Sequence, residues 1–244
     1  MLGGSKGAVA STTSQEMVIP TNPDMIVGEV DLLPGDVLLY RPRTANLIQC
    51  GIMRATGSPY THAAIYLGDG NIAESVFPQG VTKCALRKSI DGSQCVAILR
   101  SQMGFAGDRP ANLAKFVSSV IENRKPYDLL SAILFKKKSE AYFESQLEII
   151  SKNYGKKSSE EEYSARAFIC SAFVVACYTV VGIIGETAQV VYEPDHFSPG
   201  HLGKDPTFGW VLGYLVPEGG VVPSDDPLLR QATLWRDCQS ARWW

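Results

Sequence analysis

Three side chains in this sequence are of the types that carry out covalent acyl chemistry together: a histidine, a glutamate twelve residues later, and a cysteine about a hundred residues further on. His62 and Glu74 stand in Ser58-Pro-Tyr-Thr-His62-Ala-Ala-Ile-Tyr-Leu-Gly-Asp-Gly-Asn-Ile-Ala-Glu74, and Cys170 stands in Phe168-Ile-Cys170-Ser-Ala-Phe-Val-Val-Ala-Cys177. A thiol at the start of a helix feels the positive end of the helix dipole, and an imidazolium beside it makes the thiolate the favoured form near neutral pH. The expected site therefore joins Cys170 as nucleophile, His62 as base and Glu74 as the acid that orients the ring.

The elements that must bring these groups together can be read from patterning. His62, Ala64 and Tyr66 fall on one face of an expected strand, because side chains alternate, and Ala63 and Ala64 leave room for a second element. Gly68-Asp-Gly-Asn71 should turn the chain back as a hairpin. A two- or four-residue loop pairs Glu74 with Ile65 and turns it away from His62, whereas a three-residue loop with a bulge pairs it with Tyr66 and keeps it on the histidine face; sequence leaves both registers open. From Phe168 to Val181 the pattern is apolar nearly all round, as in a buried helix, with Gly182 as its C′ residue. Cys170 sits where backbone N–H groups are free to meet an oxyanion, while Cys177 reads as core. Ser171 adjoins the thiol and is a candidate contact, and Tyr60 is either a donor to the oxyanion or an aromatic packing residue.

The string Pro34-Gly-Asp-Val-Leu-Leu-Tyr40, the histidine strand from Tyr60, the step Pro126-Tyr-Asp128 and Ile169-Cys170-Ser-Ala-Phe-Val together resemble the circularly permuted branch of the NlpC/P60 papain-like hydrolases, the YiiX/LRAT-like group. The order histidine, acid, cysteine along the chain matches the permuted branch. The resemblance covers residues 32–217 and implies an α+β, papain-like fold, with a small antiparallel sheet packed against the cysteine-bearing helix. It also favours Glu74 as the third polar residue and places Tyr127 near the cleft; the plain alternative for Tyr127-Asp128 is a helix start. The activity it implies is hydrolysis of an acyl bond through a thioester. A cell-wall peptide amidase or endopeptidase is the preferred form, because no long apolar insertion near Cys170 suggests a lipid dock. A lipid acyltransferase or phospholipase is the alternative, and a non-catalytic papain-like binding module is a third.

The whole-chain properties narrow the field. With 244 residues the chain can bury a sizeable core, and a net charge of −2 gives no electrostatic reason to expect nucleic acid. The six cysteines (50, 84, 95, 170, 177 and 238) form no CxxC pair and no metal-ligand spacing with the three histidines, so neither metal nor cofactor is expected. Cys84 and Cys95 could bridge a hairpin, although two free thiols are preferred. His196 and His201 lie among Pro and Gly residues and read as loop residues. No apolar run reaches the roughly 18 residues of a spanning helix, and the N-terminus lacks the apolar core of a secretory signal. The expectation is synthesis in the cytoplasm, with a specialised secretion route, a delivery or immunity partner and an antibacterial effector role if the substrate is cell-wall peptide.

Residues 1–23 are rich in Gly, Ser, Thr and Pro and read as a disordered leader, residues 24–217 as the hydrolase domain, and residues 218–244 as a tail that is helical and packed on the domain or free to dock elsewhere. Residues 136–165 read as a charged helical insertion. Residues 46–55 read as a helix with Leu47, Ile48, Ile52 and Met53 as candidate core positions.

Overall fold

A computed structural model describes residues 25–231; the leader and most of the expected tail helix, including Trp243 and Trp244, lie outside the described residues. Six strands, β1 (Val37–Pro42), β2 (His62–Gly68), β3 (Asn71–Val76), β4 (Gly80–Ala85), β5 (Ser93–Arg100) and β6 (Trp210–Leu215), form one sheet in the order β4-β3-β2-β1-β5-β6. Every neighbouring pair is antiparallel. The helices are α1 (Leu47–Thr56), α2 (Leu86–Ile90), α3 (Arg109–Glu122), α4 (Leu129–Glu144), α5 (Gln146–Asn153), α6 (Glu160–Ser164), α7 (Cys170–Val180) and α8 (Pro199–Leu202). This is a mixed α+β architecture.

Alternation along the central strands divides the interior in two. Val37, Leu39, Ala63, Ile65, Ala73, Ala97 and Leu99 face α3 and α7 and form the larger core. Leu38, Tyr40, Ala64, Tyr66, Ile72, Val96 and Ile98 face the other way and are covered by Leu32 and by Leu86 of α2. With both faces of the central strands buried, β1 and β5 read as near-continuous apolar runs. Ala63 and Ala73 are fully buried, and their small side chains let the α7 backbone come close.

Helix α7 is buried on every side, from Cys170 to Thr179, which matches its all-round apolar sequence. It ends in a Schellman motif: the N–H of Ile183 reaches the carbonyl of Tyr178, that of Gly182 reaches Thr179, and Gly182 takes the left-handed φ of +72° that this motif needs. Its other end has no side-chain cap, since Ile169 occupies that position. The first N–H groups of α7 are thus left for the site.

Residues 136–165, read as a charged helical insertion, hold the second half of α4, which runs unbroken across residue 136, then α5 and α6. One expectation about elements needs correction. In α1, Leu47 is 92% and Ile48 is 68% exposed, and none of its residues is buried. Periodicity placed these side chains on a helix correctly but not against a core.

Candidate active site

The hairpin settles the position of Glu74. Gly68 pairs with Asn71 across the two-residue turn Asp69-Gly70, whose φ values of +50° and +69° are those of a type I′ turn. A bulge at Leu67 then shifts the register by one, giving Tyr66 opposite Ile72 and Ala64 opposite Glu74. Neither partner expected for Glu74, Ile65 or Tyr66, is the observed one. The bulge nevertheless turns Glu74 to the face of Ala64 and therefore of His62, because an even shift preserves the face. Glu74 Oε2 lies 2.6 Å from His62 Nε2.

Ala64 opposite Glu74 is the last pair of the β2–β3 ladder, so His62 and Ala63 lie past its end. The tip of α7 enters this opening, held by a hydrogen bond from the Ser75 hydroxyl to the Phe168 carbonyl at 2.7 Å. There the Cys170 sulfur meets the His62 ring and accepts from the N–H groups of Ala63 and Ser171. Because Nε2 of His62 is taken by Glu74, the other ring nitrogen is the one that serves the sulfur.

The protonation states follow from these contacts. Burial opposes the charged thiolate, but the hydrogen bond and charge of His62, helped by the two backbone N–H groups, hold the Cys170 thiol below its usual range. Burial likewise opposes the imidazolium, yet Cys170 and Glu74 outweigh it and push His62 up to about 10. Burial would raise the Glu74 carboxyl, but bonding to His62 leaves it below its ordinary value. The contacts favour a thiolate, an imidazolium and a carboxylate in sequence. The His62 side chain is 23% exposed, while Cys170 is 6% exposed.

Around this core lie supporting groups. The Tyr40 ring packs on His62 with centroids 5.1 Å apart, and its hydroxyl is tied to Ser89 at 2.6 Å. The Cys84 thiol donates to Glu74 Oε1 at 3.1 Å, so each Glu74 oxygen has its own partner. Burial and the Glu74 carboxylate push the Cys84 thiol up to about 12, which keeps it protonated as a donor. Cys84 was not expected here. It and Cys95 are free thiols rather than a bridge.

Tyr127 is fixed by its N–H to the Pro78 carbonyl at 3.3 Å and by edge-on contact with Phe77. Its hydroxyl accepts from the Cys170 N–H, and burial together with the Cys170 charge raises the phenol, so it keeps an O–H to donate. The next residue, Asp128, caps α4 by accepting from the Ser131 N–H at 2.9 Å. Tyr127 thus lies against Cys170, while Asp128 starts α4.

Of the two alternatives for Tyr60, its surroundings fit packing: the hydroxyl is buried and donates to Asp226 at 2.7 Å. The Ser171 hydroxyl donates to the Phe197 carbonyl at 2.6 Å, leaving only its backbone N–H for the sulfur. His196 stacks on Tyr142 at 4.2 Å, and the His201 ring packs among Phe135, Phe143 and Phe197. Among the described residues no group of three or more His, Cys, Asp or Glu side chains is arranged to hold a metal ion. None of the described helices is long and apolar enough to cross a membrane.

No family model matches the chain, and no curated protein matches it. Among solved structures, the crystal structure of metalloprotein yiiX from Escherichia coli O157:H7 is similar, with a TM-score of 0.39 and 17% identity over 80% of this chain and 93% of that one. A likeness at this distance assigns neither a family nor an activity, and the functional reading rests on the site itself.

Proposed function

We propose that the protein is a cysteine hydrolase that cleaves an acyl bond through a thioester. The observation that carries this reading is the chain of contacts from Glu74 through His62 to Cys170, with the carboxylate 2.6 Å from the ring. The Cys170 thiolate attacks the carbonyl carbon, and the carbonyl electron pair moves to oxygen. The Tyr127 hydroxyl, which accepts from the Cys170 N–H and keeps its own proton, is the donor offered to that oxyanion. His62 gives its proton to the leaving amine or alkoxide, and the thioester remains. Neutral His62 then takes a proton from water, hydroxide adds to the thioester, and the thiolate departs as the acid product forms.

The absence of a long apolar insertion near Cys170 favours cell-wall peptide as substrate. A different observation bears on the choice: Leu130 and Ile133 on α4, shortly after Tyr127 in the chain, are 66% and 70% exposed. They favour the second reading, hydrolysis or transfer of a lipid acyl group. Incubation with purified sacculi and, separately, with phospholipid vesicles, followed by mass spectrometry, discriminates the two by the released muropeptide or lysolipid and fatty acid. In either case Cys170→Ala abolishes turnover while the fold persists, and an acyl adduct of the intact protein maps to Cys170. Turnover by Cys170→Ala would overturn the reading, and a wild-type protein inert to every acyl substrate would favour a binding module.

A further inference from the structure

Helix α4 carries its apolar side chains outward over its first two turns. Leu129 is 48%, Leu130 66%, Ile133 70% and Leu134 40% exposed, whereas Ser131 and Ser139 are buried at 3% and 4%. This orientation is fixed rather than incidental. Asp128 caps the first turn, the Ser139 hydroxyl donates to the His196 carbonyl at 2.9 Å, and Tyr142 stacks on His196. The buried polar groups are thus satisfied, and the helix cannot roll its leucines inward without breaking those bonds.

Helix α1 touches α4 and adds Leu47 and Ile48, which are 92% and 68% exposed. Both helices belong to the site end of the sheet, since α1 runs from the end of β1 into His62 and α4 follows Tyr127. The apolar side chains of both helices therefore belong to the end of the sheet that holds His62 and Cys170.

Charge brackets this surface. Residues 124–138 hold five cations and one carboxylate in a chain whose net charge is −2. Arg124 and Lys125 precede the leucines and Lys136 and Lys137 follow them, all exposed. The carboxylate, Asp128, is spent on its cap, and Lys136 has only a solvent-exposed partner, Glu140, at 3.9 Å. Leucines flanked by lysines and arginines suit the boundary between lipid headgroups and acyl chains, where apolar burial and attraction to anionic headgroups act together.

We propose that the α1–α4 surface docks on an anionic phospholipid bilayer, with the His62 end of the sheet toward the lipid. Binding is read without turnover, so this proposal stands or falls separately from the hydrolase reading. The test is flotation of the full-length protein with vesicles of phosphatidylcholine containing phosphatidylglycerol, against phosphatidylcholine alone. Wild type should float with the anionic vesicles and not the neutral ones. The pairs Leu130→Asp with Ile133→Asp, and Lys136→Glu with Lys137→Glu, should each weaken partitioning by about tenfold or more. Thermal stability should hardly change, because all four side chains are exposed. No flotation of wild type, equal flotation on neutral vesicles, or undiminished flotation of both variants would overturn the proposal. So would a dimer abolished by Leu130→Asp, which assigns the surface to a second copy, or a fall in stability with flotation unchanged, which assigns it to cover by the chain itself.

Discussion

Cys170, His62 and Glu74 divide the chemistry by environment: the sulfur has donors around it, the ring lies between two anions, and the carboxylate is shared by a ring and a thiol. Cys84 is the member whose contribution is easiest to isolate. Removing its S–H takes one donor from Glu74, and a neutral hydrogen bond to a charged group contributes about 1.5 kcal/mol. Cys84→Ala is therefore expected to lower kcat/KM by roughly fivefold to tenfold and to move the acid limb of the pH profile upward, because Glu74 is then easier to protonate. Cys84→Ser should restore both, which a merely packing role would not. His62 and Cys170 were legible in the sequence because their types and the start of an apolar helix carry the signal. Cys84 was not, since its place beside Glu74 depends on the register of β3 with β4, where it pairs with Ile72. The partner of Tyr60 was hidden for a similar reason: nearness to His62 in sequence says nothing of Asp226, whose carboxylate takes its hydroxyl.

At the scale of elements, a single bulge decides whether the acid faces the ring. Deleting Leu67 removes the extra residue and leaves Glu74 opposite Ala64 in a regular hairpin, so the acid keeps the histidine face. The deletion variant is expected to stay folded by circular dichroism and to keep kcat within about tenfold of wild type, and a fall of about a hundredfold or more, as when a catalytic histidine loses its orienting acid, would contradict this register. A second element-scale dependence lies at Gly80. Its φ is +83°, and a Cβ there would collide with the Lys125 carbonyl, so β4 can approach the segment that carries Tyr127 only with glycine in that place. Gly80→Ala should cost about 1–3 kcal/mol of stability, measured by chemical denaturation, and should lower activity through displacement of Tyr127. The hairpin, the buried helix and its glycine C-cap were visible in the sequence because each has a local signature. The register was not, because a bulge is chosen by the packing of both strands. The outward faces of α1 and α4 were hidden as well, since periodicity tells which residues share a face but not what covers it.

Across the whole molecule, the sheet and the C-terminal segment are joined through Asp226, which is 5% exposed. Its carboxylate accepts from the hydroxyls of Tyr60 at 2.7 Å and Tyr214 at 2.9 Å and pairs with Arg41 at 3.1 Å. Asp226→Ala leaves two buried phenols without their acceptor and the Arg41 guanidinium with the exposed Asp225 as its carboxylate partner, so we expect a loss of about 3 kcal/mol or more and a Tm lower by roughly 6–12 °C, read by calorimetry. The most direct test of the account is the rate at which iodoacetamide alkylates Cys170 as a function of pH, followed by peptide mass spectrometry in wild type and His62→Ala. With His62 held charged up to about 10 and the Cys170 thiol held low, the wild-type rate should already be on its plateau at neutral pH and fall only on the acid side, where the thiolate is protonated. In His62→Ala the rise should move to the alkaline range of an ordinary thiol, about 8.5 or above. A wild-type profile that rises only in that alkaline range, and that His62→Ala leaves unmoved, would contradict the ion pair on which the proposed chemistry depends.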